Sequence, residues 1–157
     1  MYRSFSLLFL LIGLSFVKLH AQDTFAQDSS DIHAVVKQLF DGMRKGDSAM
    51  VHATMHPEVR MLTSYINKEG EAKLQVGSLD RFLKAVGTPH EAVWNETIDA
   101  LHVEVDDNLA HAWVDYSFYV NEDFHHCGVD AFLFIREGEE NWKIIHLADT
   151  RRTEGCP

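Results

Sequence analysis

The sequence predicts a single α+β domain, with a cone-shaped, curved antiparallel sheet of about six strands wrapped around three N-terminal helices. Two patterns indicate this class. Apolar residues recur at helical spacing from Ile32 to Met43, and from Ala92 onward the pattern is that of strands separated by short turns. Helices followed by a long meander of strands are an α+β order, and the curved sheet would leave a pocket between itself and the helices.

The first half of the domain is predicted to hold the three helices and one hairpin. Ser30 or Asp31 caps the first helix, which Gly46 ends. Residues 59–76, "VRMLTSYINKEGEAKLQV", form two strands joined by a turn at Glu69-Gly70. The other helices have their own signals: Asp47 as a cap and Pro57 as a stop after Met55 for the second, Ser78 as a cap and Gly87 as a stop for the third.

The later strands are predicted to pair in a register that gathers carboxylates on one face. If Val120 faces His125 across its turn, Asp115 lies opposite Asp130, and Asp149 joins that face from the last strand. The same register places further residues there: Trp113, Tyr119, His126 and Phe132. The other face is then apolar: Val114, Tyr116, Phe118, Val129, Ala131 and Leu133. A slip of one residue would reverse these assignments.

The first 21 residues have the pattern of a signal peptide that is removed on export. Arg3 forms a short basic region, residues 7–17 are apolar, and Ala21 fits a cleavage site. The apolar run is shorter than the ~20 residues that a membrane-spanning helix needs. We therefore expect an exported protein, periplasmic or secreted, with a flexible segment at residues 22–29 and the folded domain at residues 30–157.

The charge of the chain argues against nucleic acid and anionic membranes as partners. The net charge is −10, and removal of the signal peptide, which carries Arg3 and Lys18 but no carboxylate, would change it to −12. Both kinds of partner need clustered Lys and Arg, and a pair such as Arg151-Arg152 is too small a cluster for either. Removal of 21 of the 157 residues leaves 136, enough for one domain with a core.

Cys127 and Cys156 are the two cysteines of the chain. In an exported protein an even number of cysteines favours a disulfide, although a catalytic or metal-binding thiol is the alternative. A metal site has candidate ligands in His52 and His56, which are four residues apart on the second helix, and in a strand group: His125, His126, His146 and Asp149. Nothing in the sequence brings the two groups to one point, so we expect no metal and no cofactor.

Several segments together resemble a known family. They are "HCGVDAF" at 126–132, "NWKI" at 141–144, "DTRR" at 149–152 and the final Cys156. With the order of elements, they resemble the nuclear-transport-factor-2-like (SnoaL-like) superfamily, and within it an exported bacterial subgroup known as "putative lumazine-binding". The resemblance implies the cone-shaped fold and a pocket, and the subgroup has no established activity.

The ketosteroid isomerases of that superfamily give a comparison for the pocket. Their strand similar to "VDAF" carries a protonated carboxylic acid that donates a hydrogen bond to an oxyanion, and Asp130 stands at that position. Their chemistry also needs a carboxylate base, where this chain has Thr63, and a phenol from the first helix, where it has no Tyr. The resemblance therefore implies the pocket position but argues against the isomerase reaction.

We interpret Asp115 and Asp130 as a carboxylate pair that shares a proton in an apolar pocket; the alternatives are two solvated residues or partners of Arg151 and Arg152. Four aromatic residues could be ordinary core or a stacking surface for a ring: Trp113, Tyr119, Phe132 and Phe134. Asp149 and Arg151 could pair at the pocket mouth. The expected ligand-binding set is Trp113, Asp115, Tyr119, His126, Asp130, Phe132, Asp149 and Arg151.

The sequence thus favours an exported protein that binds a small, partly heteroaromatic molecule. One alternative is an enzyme of the SnoaL or isomerase type that uses Asp130 and Asp115 as acid and base. The other is a protein-interaction module whose cone is filled by side chains. The apolar face with Val114, Phe118 and Leu133 predicts a homodimer that forms between two sheets.

Overall fold

The computed structural model of this chain describes the backbone of residues 5–138 and 141–157, and within these ranges the side chains from Phe25 onward. The elements run, in chain order, α1 (Phe5–Lys45), α2 (Ser48–His52), β1 (Met55–Ile66), β2 (Ala72–Val76), α3 (Leu79–Gly87), β3 (Trp94–Asp106), β4 (Leu109–Val120), β5 (Asp123–Arg136) and β6 (Trp142–Thr150). The predicted α+β class and the predicted order of elements are confirmed.

Helix α1 starts far upstream of its predicted cap. Asp31 lies inside the helix, where its carboxylate accepts a hydrogen bond from Gln27 Nε2 at 2.8 Å, one turn earlier, instead of capping a first turn. Asp28 is buried and pairs with Arg136 of β5 at 2.7 Å. Gln27 and Asp28 belong to residues 22–29, the segment that was expected to be flexible. Arg3 and the rest of residues 1–4 of the predicted signal peptide lie outside the described residues.

The short elements that follow α1 agree with the predicted caps, with one exception. The carboxylate of Asp47 accepts from the Met50 amide at 2.9 Å, and the Ser78 hydroxyl accepts from the Arg81 amide at the start of α3. Helix α2 ends at His52, before its predicted limit, and β1 begins at Met55, so that Pro57 lies within the strand instead of closing the helix.

The six strands form one sheet in the order β2-β1-β6-β5-β4-β3. All neighbouring strands are antiparallel except β1 and β6, which are parallel, so the sheet is mixed and the predicted all-antiparallel sheet is wrong in this respect. The sequence shows antiparallel pairing where a tight turn joins two strands. No local signal sets the relative direction of β1 and β6, which are separated by most of the domain.

The inner face of the sheet packs against α1 and forms the core. Its buried residues alternate along the strands: Val103 of β3, Ala110, Ala112 and Val114 of β4, Phe132 and Phe134 of β5, and Ile144 of β6. Against them α1 places its predicted apolar stripe: Ile32, Val36, Leu39, Phe40 and Met43. No helix among the described residues is long and apolar enough to cross a membrane.

The β4–β5 register differs by one residue from the prediction. Val120 pairs with Asp123 across a two-residue turn in which Asn121 has a φ of 60°. A bulge then shifts the ladder next to Phe118, so that Asp130 lies opposite Val114 and Asp115 lies opposite Val129. Because side chains alternate between faces, the carboxylates of Asp115 and Asp130 point to opposite sides of the sheet.

The β5–β6 register also differs, with the opposite effect on the site. Asp149 lies directly opposite Asp130, where the prediction had placed Gly128, because a bulge shifts the pairing between Leu133 and Phe134. The predicted and observed partners of Asp149, Gly128 and Asp130, are two residues apart, which leaves Asp149 on the same face of the strand. Asp149 and Asp130 are therefore neighbours on the inner face.

The face predicted for dimer formation is wrong. Val114 and Phe118 lie on the inner face, where Val114 is fully buried, while Leu133 lies on the outer face. The outer face instead carries an apolar row that crosses the sheet from β2 to β4: Val76, Leu62, Ala148, Ala131 and Trp113. Val76 is 66% exposed and Trp113 is 49% exposed.

Candidate functional site

A cavity of about 610 Å³ lies between the inner face of the sheet and helices α1 and α3. Much of its wall is apolar: Leu39, Phe40, Met43, Met61, Phe82, Trp94, Phe118, Val120 and Leu147. The cone is therefore not filled by its own side chains. The volume lies within the range of about 300–1,000 Å³ that is usual for small-molecule sites.

Two carboxyl groups meet in the wall of this cavity. Asp130 of β5 is 4% exposed, and its carboxyl lies within hydrogen-bonding reach of that of Glu96 of β3. Their strands lie on either side of β4, and both residues are on the inner face. A hydrogen bond between two carboxyl groups needs a proton on one of them.

The environment decides which group holds that proton. Burial raises the pKa of Asp130 well above its usual range, and the negative charge of Glu96 and the hydrogen bond to it raise that pKa further. Burial also raises the pKa of Glu96, to about 7, although the hydrogen bond from Asp130 acts against this rise. Near neutral pH, Asp130 is thus a neutral acid that donates to Glu96, and Glu96 exchanges its own proton with the solvent.

Asp149 and Arg151 form an ion pair beside the two carboxyl groups. Arg151 Nε donates to Asp149 Oδ2 at 2.7 Å, and the Thr63 hydroxyl donates to Asp149 Oδ1 at 2.5 Å. The Arg151 side chain remains 57% exposed, so the pair stands where the cavity meets solvent. This arrangement agrees with the predicted ion pair and gives Thr63 the role of a hydrogen-bond donor.

Tyr116 covers the next part of the wall, and Gly128 makes room for it. The Tyr116 hydroxyl donates to the Thr150 carbonyl at 2.9 Å. A Cβ at Gly128 would lie 1.9 Å from the Thr150 carbonyl oxygen and 2.9 Å from a Tyr116 ring carbon. Burial raises the pKa of Tyr116, and negative charge on the carboxyl pair of Asp130 and Glu96 adds to this, so the phenol stays protonated.

His125 and His126 stand at the cavity beside Phe118. Their Nδ1 atoms are 2.8 Å apart, so one ring donates to the other. Burial lowers the pKa of His126 to about 4, and the positive charges of Arg151 and His125 contribute to the decrease. His126 is therefore neutral near pH 7, and its ring lies 4.8 Å from that of Phe118, tilted by 34°.

The predicted disulfide between Cys127 and Cys156 is present. It links the "HCG" segment of β5, next to the cavity, to the C-terminal end of the chain. Cys127 and Arg152 exchange two backbone hydrogen bonds of 2.9 Å, which extend the β5–β6 pairing beyond Thr150. The crosslink thus holds the segment that carries Arg151 against β5. Cys127 and Asp130 lie on opposite faces of the strand, as expected.

The predicted site residues divide into three groups. Four line the cavity: His126, Asp130, Asp149 and Arg151. Trp113, Asp115 and Tyr119 lie on the outer face, and Phe132 is fully buried in the core, as is Phe134. Asp115 therefore cannot be the acid–base partner of Asp130. Among the described residues, no three His, Cys, Asp or Glu side chains are grouped as metal ligands.

Sequence reasoning missed Glu96, Tyr116 and Phe118. A bulge between Ile98 and Ala100 breaks the alternation of β3, so the face of Glu96 could not be counted from the buried end of that strand. Tyr116 and Phe118 had been assigned to the opposite face with the rest of β4. The one available signal was a carboxylate within "WNETI", a segment otherwise typical of a strand.

A comparison with protein families finds one matching model, described as "Putative lumazine-binding", over residues 27–147 of this chain. The matched region contains all of the cavity wall except Asp149 and Arg151. Among curated proteins, none matches the sequence.

Solved structures show the same fold at low sequence identity. An NTF2-like protein with a cystatin-like fold from Novosphingobium aromaticivorans has a TM-score of 0.67 and 12% identity, over 88% of this chain and 90% of its own. A nuclear transport factor 2 (NTF2-like) superfamily protein from Salmonella enterica has a TM-score of 0.64 and 15% identity, over 83% and 95%. An NTF2-like protein of unknown function from Shewanella baltica has a TM-score of 0.61 and 13% identity, over 83% of this chain and 98% of its own.

Proposed function

This chain belongs to the "Putative lumazine-binding" family and has the nuclear-transport-factor-2-like fold, and from that premise we propose that it binds a small, partly heteroaromatic molecule in the cavity under its sheet. The observation that carries the proposal is the hydrogen-bonded pair of Glu96 and Asp130, which places a neutral acid beside a carboxylate in an apolar wall. Groups whose pKa values are strongly shifted inside a cavity are typical of functional sites.

The acid pair is complementary to one kind of ligand edge. A cyclic amide presents a carbonyl next to an N–H. The carbonyl can accept from the neutral Asp130 carboxyl, while the N–H donates to the Glu96 carboxylate. Binding then replaces one hydrogen bond inside the protein with two to the ligand, and one of these is to a charged group.

The aromatic side chains of the cavity suit a flat ring attached to that edge. Phe118 and the neutral ring of His126 lie together beside the pair, and Trp94 stands two residues before Glu96 on β3. Offset or tilted stacking on such rings contributes about 0.5–1.5 kcal/mol beyond burial of area. Phe118, His126 and Trp94 therefore take the role of ring contacts that the sequence had assigned to Trp113, Tyr119 and Phe132.

The test is a thermal-shift screen of lumazine, pterin-like and other heteroaromatic compounds, followed by calorimetric titration of each hit. Asp130→Asn keeps a donor and the shape, so binding should survive with a weaker pH dependence. Asp130→Leu leaves the ligand acceptor unpaired in a buried site, which should cost about 1–3 kcal/mol of binding free energy. Asp115→Asn is the matched control, because Asp115 lies on the outer face of the neighbouring strand.

Two results would contradict this function. One is that the Asp130→Leu variant binds every hit as tightly as the wild type does. The other is that Asp130 titrates like a free carboxyl group when its side-chain carbon is followed by NMR.

A second candidate function is acid–base catalysis, with Glu96 in the role that had been expected of Asp115. The observation that favours it is the pKa of Glu96, about 7, because a catalytic base works best when its pKa is near the working pH. Mass spectrometry of each hit after incubation with the protein would distinguish turnover from binding.

We also propose that the protein is exported and forms a homodimer. The pairing of both cysteines supports export, because disulfides persist in oxidising compartments. The apolar row on the outer face, with Trp113 and Val76 exposed, supports sheet-to-sheet association of two copies. Neither nucleic acid nor an anionic membrane surface suits the acidic chain as a partner.

A further inference from the structure

A groove adjoins the cavity on the side of helix α3. It has a volume of about 430 Å³ and is lined by Arg81, Lys84, Ala85, Thr88, His90 and Trp94. Three of these residues, Arg81, Ala85 and Trp94, also line the main cavity. A molecule in the cavity can therefore extend past Trp94 into the groove.

The charge of the groove is opposite to that of the chain. Within the described residues its lining includes Arg81 and Lys84 but no carboxylate, although the whole chain has a net charge of −10. Neither cation takes part in an ion pair within the described part of the chain. Among the described residues the Arg81 guanidinium makes one long hydrogen bond, to the Val76 carbonyl at 3.3 Å, so most of its donors remain available.

The main cavity has the opposite character at the acid pair. Glu96, Asp130 and Asp149 lie close together there, and the nearby cation Arg151 is already paired with Asp149 at 2.7 Å. An anionic group on a ligand would be repelled at that end. It would be attracted at the other end, where Arg81 and Lys84 stand one turn apart on α3.

We propose that the ligand carries an anionic group, a phosphate or a carboxylate, on a short chain that leaves the cavity past Trp94 and reaches Arg81 and Lys84. This inference rests on the proposed function and adds the chemical class of the ligand: a heteroaromatic ring with an anionic side chain. The ring end contacts Glu96 and Asp130, and the anionic end contacts α3.

The sheet gives a length for the side chain. Glu96 and Trp94 are on the same face of β3, two residues apart, which corresponds to about 7 Å along the strand. Arg81 and Lys84 are neighbours on α3, with Cβ atoms about 5–6 Å apart, so one phosphate can contact both. A linker of about five atoms therefore spans the distance past Trp94.

The experiment compares lumazines that differ only in their side chain: unsubstituted lumazine, an 8-(hydroxyalkyl)lumazine with a five-carbon chain, its phosphate ester and the corresponding carboxylate. Calorimetry should show the phosphate ester binding about tenfold more tightly than the alcohol, with the carboxylate between them, and high salt should remove the difference. In the Arg81→Gln/Lys84→Gln variant the ester should bind no better than the alcohol. The control Lys45→Gln/Lys68→Gln changes the net charge equally but lies outside the groove, so it should keep the full difference.

The outcomes separate this inference from the proposed function. If the alcohol and the ester bind the wild type equally, the inference is overturned, while the proposed function stands on the binding of the ring alone. Phenyl phosphate tests the groove without the heteroaromatic ring: it should shift the Trp94 indole NMR signal in the wild type but not in the double variant, and phenol should have no such effect. No shift with phenyl phosphate overturns the inference even if no lumazine binds.

Discussion

Loss of the proton on Glu96 should make the folded protein less stable as the pH rises. Its pKa is raised from the ordinary 4.5 to about 7, chiefly by burial, so the folded state holds a proton that the unfolded state releases. The stability linked to this group is fully present below pH 4.5 and is lost as the pH rises through 7. At 1.36 kcal/mol per pKa unit, the loss is about 3 kcal/mol of unfolding free energy.

Replacement of Glu96 by Gln should remove this loss, because the amide keeps the shape but does not titrate. Urea unfolding, followed by tryptophan fluorescence with the disulfide intact, gives the unfolding free energy at each pH. Relative to the wild type, Glu96→Gln should gain stability steadily from pH 4.5 to 7. Glu69→Gln, in the exposed β1–β2 turn, should follow the wild-type curve. Parallel curves for wild type and Glu96→Gln would refute the assignment of a half-buried Glu96 that holds a proton.

Two further predictions concern the crosslink and the assembly. Replacing Cys127 and Cys156 by Ser should lower the unfolding free energy by about 3–4 kcal/mol, the chain-entropy value for a 29-residue loop; intact mass before and after reduction checks the bond, and two free thiols in protein from an oxidising compartment would contradict it. Light scattering should show a wild-type dimer that Trp113→Lys converts to a monomer, because a charge at this position interrupts the apolar row; a wild-type monomer at high micromolar concentration would contradict the outer-face interface.

The fold was largely predictable because its signals are local. The stripe from Ile32 to Met43, the caps at Asp47 and Ser78, and the turn at Gly70 each depend on a few neighbouring residues, and the structure confirms them. The start of α1 was not predictable in this way. Helix α1 begins at Phe5, and the contact that joins its Asp28 to Arg136 of β5 links residues that are far apart in the sequence and meet only after folding.

The site was harder to predict because an error of one residue in the sheet register moves every side chain of a strand to the other face. The bulge next to Phe118 moved Trp113, Asp115 and Tyr119 to the outer face. Asp130 kept its position because its assignment came from the resemblance of "VDAF" to a pocket strand as well as from pairing. Asp149 kept its position because its register error was two residues, which preserves the face.

Strand β5 carries both a feature that destabilises the folded state, the acid pair, and one that stabilises it, the disulfide. Asp130 and Cys127 are three residues apart on that strand and point to opposite faces, so the acid pair lines the cavity while the disulfide fixes the outer side. Above pH 7 the acid pair destabilises the fold by an amount, about 3 kcal/mol, similar to the 3–4 kcal/mol that the crosslink contributes. A pair of carboxyl groups that weakens the folded state when Glu96 loses its proton has no structural role that Gln or Leu would not fill better. Its presence at the wall of an open cavity is therefore best explained by a ligand that binds both carboxyl groups. The crosslink on the same strand offsets the stability that the acid pair removes, so the protein stays folded with both groups in place.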